Sequence, residues 1–289
     1  IKRREDNLST VAFNLFARTL FLQHPYRFPV LGESNTISAI TRDELVEYYE
    51  RHCVPGNLVL AIVGDVDPHA AASNVEHLFA SMHPKPLAAP EIQAEPPLEA
   101  VRESVEHKDK AQAHIVLGFQ GAKVTSPDRY PLEVLNAVLS GQGGRLFVEL
   151  RDKRSMAYQV TSFSREGVDP GTFGVYIATS PEKAETAIAA IKDQLRLLIE
   201  DGITTEELER AKNYLVGTYE IDLQRNATQA AQLAFDEIYQ IGLGSPDRYA
   251  DMIYAVTLDD VLRISRTYLD LNRYALAVVR PATSGAGNQ

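Results

Sequence analysis

The sequence predicts an α+β fold, and three observations carry that expectation: helix starts marked by capping residues, short apolar runs rich in β-branched residues, and a helix-then-strand unit that occurs twice. Composition permits such a fold. Hydrophobic residues make up 45% and charged residues 24% of the 289, the ordinary mix of a chain with a sizeable core.

Along the chain, Thr41 followed by Glu44 spells a capping box. The Thr hydroxyl accepts from the third backbone amide while the Glu reaches back, pairing donors that a helix start leaves free. Leu58 to Val63 is then a short apolar run that predicts a buried strand. Pro84, Pro86, Pro90, Pro96 and Pro97 interrupt any periodic pattern, so 84–98 reads as an extended linker. Ala113 to Gly118, Tyr158 to Ser164, Phe173 to Ala178 and Tyr274 to Val279 are further strands. Between the last two, Ser180 and Pro181 mark a helix start, after which Ala187, Ile188, Ile191, Leu195 and Leu198 fall on one helical face. Thr204 and Glu207 form a second capping box.

Sliding the chain on itself by 216 residues lays Ile40–Leu45 on Val256–Val261 and Leu58–Val63 on Tyr274–Val279. Thr41/Thr257, Asp43/Asp259, Leu60/Leu276 and Ala61/Ala277 are identities in that register. Two homologous domains are therefore expected, the first truncated at its start, over residues 1–83 and 99–283. A disordered tail is expected at 284–289. The opening Ile1 to Asp6 has neither an initiator Met nor a signal-like apolar stretch, and a longer parent chain is expected.

A net charge of −10 gives a field that repels polyphosphates, which argues against nucleic acid as a partner. No apolar run approaches the ~20 residues of a membrane-spanning helix. Cys53 is the only cysteine, so an internal disulfide framework and a cysteine zinc site are excluded. The repeat places Cys53 on Leu269 and predicts a small buried hydrophobe. None of the seven histidines forms a His-Glu-x-x-His or His-x-x-Glu-His pair. The nearest approach, Ser73 to His77 with Glu76, reads as an ordinary amphipathic helix, while His24 and His114 read as hydrogen-bonded structural residues. Gly141 to Gly144 comes after a helix and reads as a flexible turn. Just beyond it, Arg151 and Tyr158 bracket a helix end and a strand start. A guanidinium and a phenol at such a junction suit a carbonyl oxygen acquiring negative charge, although spacing alone favours a surface Arg and a half-buried Tyr.

Taken together these residues resemble the M16 family of zinc metallopeptidases. The resemblance rests on His24 to Gly32, Ile40 to Leu45, Val54 to Asn57 leading to Val66, Gln112 to Phe119, Leu132 to Leu139, and Gly144 to Arg151 through Tyr158. It implies paired homologous α+β domains enclosing a chamber where a peptide adds as a strand to a sheet edge. It also implies Zn2+ held by a His-x-x-Glu-His helix and a distal Glu, none of which is in this chain; the residue before Ile1 is expected to be that Glu. Arg151 and Tyr158 match the family's substrate-binding Arg and Tyr seven apart, which implies that they stabilise the tetrahedral intermediate. The expected function is the carboxy-terminal portion of a zinc endopeptidase acting on peptides or unfolded proteins, inactive as this piece alone. Pairing of subunits as a homodimer or heterodimer is implied too, and with it the alternative of a non-catalytic partner of a zinc-bearing subunit.

Overall fold

The computed structural model describes residues 2–85 and 92–282. Ile1, the middle of the proline-rich segment and the tail expected at 284–289 lie outside the described residues. Along the chain run α1 (Lys2–Glu5), α2 (Leu8–Leu20), α3 (Ser34–Ala39), α4 (Arg42–His52) and α5 (Pro68–Phe79). Then come β1 (Arg102–His107), β2 (Ala113–Gln120), α6 (Arg129–Leu139), a π-helix (Phe147–Lys153), β3 (Gln159–Arg165) and β4 (Thr172–Thr179). The chain closes with α7 (Ala184–Glu200), α8 (Thr205–Asp222), α9 (Asn226–Ile238), α10 (Ser245–Ala255), α11 (Leu258–Tyr268) and β5 (Ala275–Arg280). The α+β class is as the sequence predicts.

Two compact units divide these elements. The first comprises residues 1–31, 93–216 and 250–289 and holds the whole sheet, in the order β1-β5-β2-β4-β3. Only β1 and β5 run parallel. The other neighbours are antiparallel, with Ile115 opposite Ile177 and Val278. Because β2 lies at the centre of the sheet, its residues Ala113 to Phe119 are buried on both faces. On one face α2 lays Val11, Ala12, Phe16 and Leu20 against Val116, Tyr176, Ala178, Ala277 and Val279. The other face is covered by α7, with α6 and α11 packed beside it. Gly118 is required under α2, because a Cβ there would come within 2.7 Å of the Phe16 ring. β1 escapes sequence reading: its alternation of half-buried and exposed residues is carried by charged side chains, as suits an edge strand.

The second unit comprises residues 32–92 and 217–249. Here the repeat is visible residue by residue in α4, whose two ends lie 216 positions before those of α11. Thr41 and Thr257 each cap with a reciprocal carboxylate, Glu44 and Asp260, and both helices stop on a residue of similar backbone angles, Cys53 (φ −85, ψ 69) and Leu269 (φ −101, ψ 67). Beyond these stops the two copies diverge. Leu58–Val63 is not a strand, in contrast to the sequence expectation: it has no ladder partner among the described residues, and Leu58, Val59, Leu60 and Ile62 are exposed. Its counterpart β5 is sandwiched between β1 and β2, which pair its amides and carbonyls on both sides. Cys53 is likewise exposed instead of buried, because nothing in this unit covers it as the sheet-bearing unit covers Leu269.

Candidate functional site

Arg151 and Tyr158 stand at the two ends of the passage from the π-helix to β3. A π-turn of this length is rare, and such turns concentrate at functional sites because they re-aim side chains out of the α-helical register. The turn before it is forced by sequence: Gly141 adopts φ +78, and a Cβ on Gly144 would fall 2.1 Å from the Ser140 carbonyl oxygen. Arg145 then anchors the helix from the side. Its guanidinium makes a bidentate pair with Glu207, Nε to Oε1 at 2.9 Å and Nη2 to Oε2 at 2.6 Å, and Glu207 also accepts from the Thr204 amide at the start of α8. Burial raises the Glu207 pKa, but the Arg145 and Thr204 hydrogen bonds outweigh it and hold the carboxyl below its ordinary value.

The passage itself is pinned by three further bonds. Thr179 Oγ1 donates to the Met156 carbonyl at 2.5 Å, Lys183 Nζ to the Ser155 carbonyl at 3.0 Å, and the Tyr158 amide to the Ala178 carbonyl at 2.9 Å. Ser155 takes up a left-handed conformation at φ 50 to let the chain leave the helix. From this frame the two predicted side chains project outward. Arg151 is exposed, its guanidinium 4.7 Å from the centre of the Phe147 ring, and Tyr158 is 61% exposed. Neither side chain has a hydrogen-bond or ion-pair partner among the described residues, and they do not bond to each other. Arg145 and Thr179, which help build the frame, are missed by sequence reading, and Glu207 is read there only as a helix cap, because its pairing with Arg145 joins residues 62 positions apart.

Two of the histidines, His24 and His114, are structural. His24 is buried, donating from Nε2 to Asp169 at 3.0 Å while Nδ1 accepts from the Tyr26 amide, which fixes its tautomer because an amide can only donate. His114 Nδ1 meets the Tyr176 hydroxyl at 2.8 Å; burial lowers the imidazole pKa and pushes the phenol up to about 12, so a neutral ring shares this hydrogen bond with a neutral phenol. Zinc does not fit the residues present: among the described residues no three His, Cys, Asp or Glu side chains group as metal ligands.

The sheet-bearing unit is thus a three-layer α+β domain that presents an exposed Arg and Tyr from a pinned junction and carries no metal-ligand cluster among its described residues. Comparison with known proteins gives the family. A model described as "Peptidase M16 inactive domain" matches residues 39–215, more than half of the chain, and the chain belongs to the M16 peptidase family. It is 32% identical over 288 residues to an uncharacterized zinc protease of Streptomyces coelicolor, covering 97% of this chain and 62% of that protein. To the uncharacterized zinc protease YmxG of Bacillus subtilis it is 28% identical, covering 98% of this chain and 68% of the relative. The chain thus spans about two thirds of the length of these relatives. Its fold is shared with the crystal structure of a peptidase M16 inactive domain from Pseudomonas fluorescens, at a TM-score of 0.89 and 24% identity over 98% of this chain and 68% of that one.

Proposed function

We propose that this chain is the carboxy-terminal portion of an M16 zinc endopeptidase, supplying substrate-carbonyl donors and chamber wall while the metal is held by residues upstream of Ile1. The observation that carries the reading is the pair of unbonded donor heads, Arg151 and Tyr158, held out from a backbone that is itself tied down. A guanidinium and a phenol carried at fixed backbone positions can both donate to an oxyanion that forms only in the transition state, and neither gives up an existing hydrogen-bond partner to do so. The lengths of the relatives and their printed description as zinc proteases support a parent chain with a zinc motif. In this reading residues 1–83 complete a first domain, 84–98 link it to a homologous second domain at 99–283, and the substrate is a peptide or unfolded protein. Expression with the upstream coding sequence tests it: bound zinc and chelator-sensitive cleavage of an unstructured peptide are expected, and a metal-free, inert product overturns it.

One observation favours a second reading. The matching family model describes an inactive domain, which suits a subunit that lends Arg151 and Tyr158 in trans to a zinc-bearing partner, as homodimer or heterodimer. That reading predicts no His-x-x-Glu-His upstream and activity only on mixing with the partner.

A further inference from the structure

Within the sheet-bearing unit, on the α2 side of β3, lies a cavity of about 230 Å3 that the peptidase reading does not use. Five aromatic rings line it: Phe13, Phe16 and Phe21 from α2 and its end, Tyr26, and Phe163 from β3. Their positions are fixed. Phe13 and Phe163 meet edge to face at 5.1 Å, Phe21 and Tyr26 at 5.6 Å, and the Tyr26 hydroxyl accepts from the Val168 amide at 3.0 Å. Such a box would be a plain apolar recess were it not for its two charged residues.

Arg165 and Glu166 both line the cavity and both are exposed. The Arg165 guanidinium carbon lies 5.0 Å from the centre of the Phe13 ring and 5.6 Å from that of Phe163, so the π faces of the cavity draw the cation to its rim. Neither Arg165 nor Glu166 has an ion-pair or hydrogen-bond partner for its charged head among the described residues. Contact with the rings uses none of the five guanidinium N–H groups as hydrogen-bond donors, and they remain available to a carboxylate. The cavity therefore offers an apolar box lined also by one unpaired cation and one unpaired anion, in a space smaller than the roughly 300–1,000 Å3 of sites for drug-sized ligands.

We propose that this cavity binds a single free α-amino acid with an apolar side chain, the side chain in the aromatic box, the carboxylate on Arg165 and the ammonium on Glu166. The occurrence of both signs at the rim selects a zwitterion over the end of a polypeptide, which carries one charge or the other. Size selects one residue, and the rings select an apolar side chain over a polar one. The site depends on no metal and no peptidase activity, so it stands or falls independently of the peptidase reading.

Titration calorimetry of the chain with L-phenylalanine tests it. Saturable binding is expected, weakened about ten-fold or more for N-acetyl-phenylalanine and for phenylalanine amide, the scale of one lost charge-assisted bond. Arg165→Gln and Glu166→Gln, at exposed positions where folding is insensitive to the change, are expected to weaken phenylalanine by a similar factor, with circular dichroism unchanged. Absence of binding at millimolar phenylalanine overturns the proposal. Equal affinity for the acetylated or amidated form overturns it too, by making the occupant a chain terminus, as does an Arg165→Gln variant that binds like the wild type.

Discussion

Glu95 has no exposed side-chain surface and yet is a carboxylate, and its neighbours explain how it is tolerated. Its oxygens accept from the amides of Leu22, Gln23 and His24 at 2.8 to 3.0 Å, with Arg102 at 3.7 Å. Burial raises its pKa, but the three amides and Arg102 outweigh burial and hold it below 4.5. A folded-state value depressed in this way contributes stability that is present above the unfolded value and lost as pH falls through the folded one. Glu95→Gln, which offers one acceptor where three donors converge, is expected to cost about 1–3 kcal/mol per amide left unpaired, read as a lower denaturation midpoint at neutral pH. An unchanged midpoint would show that the bond network carries no net stability. His24, whose backbone this carboxylate holds, was legible as a structural residue; Glu95 was not, because its role depends on a contact 71 positions away in sequence that no local pattern announces.

At the scale of elements, α4 and α11 show how far a sequence repeat reaches. The caps, lengths and terminal backbone angles of both helices come from Thr, the carboxylate three residues on and the apolar spacing, all of them local, and all were legible. Leu58–Val63 and β5 share the same local pattern but differ in pairing, which is a property of neighbouring strands and not of the run itself. Amide exchange is therefore expected to be fast across 58–63 and strongly protected across 275–280; similar protection in both would contradict the unpaired state of the first. The π-helix belongs to this scale too. Glu207→Gln removes the charge from the Arg145 clamp and is expected to loosen Phe147 to Lys153, read as faster exchange there with β2 and β4 unaffected, whereas unchanged exchange would leave the clamp without a role.

For the whole molecule, the shifted carboxylates and the shifted imidazole pull in one direction on acidification. Glu95, Glu207, Asp260 and Asp270 are all depressed below the ordinary carboxylate values, and His114 is depressed below 6.5 by burial. Each contribution is complete above its unfolded value, so on the acid side of neutrality stability is expected to fall in two stages. His114 acts first as pH drops below 6.5, and the carboxylates come next below about 4.5. Thermal melts across that range check the order, and a stability that rises on acidification would reverse it. The function proposed here rests on Arg151 and Tyr158, whose types and spacing were visible in the sequence while the frame that carries them was not. The most direct measurement is kcat/KM of the full-length protein for an unstructured peptide, wild type against Tyr158→Phe, with zinc content determined on both. A drop on the order of 10²-fold with zinc unchanged is predicted, the scale of one lost oxyanion donor. An unaltered rate at full zinc occupancy would contradict the role assigned to this phenol.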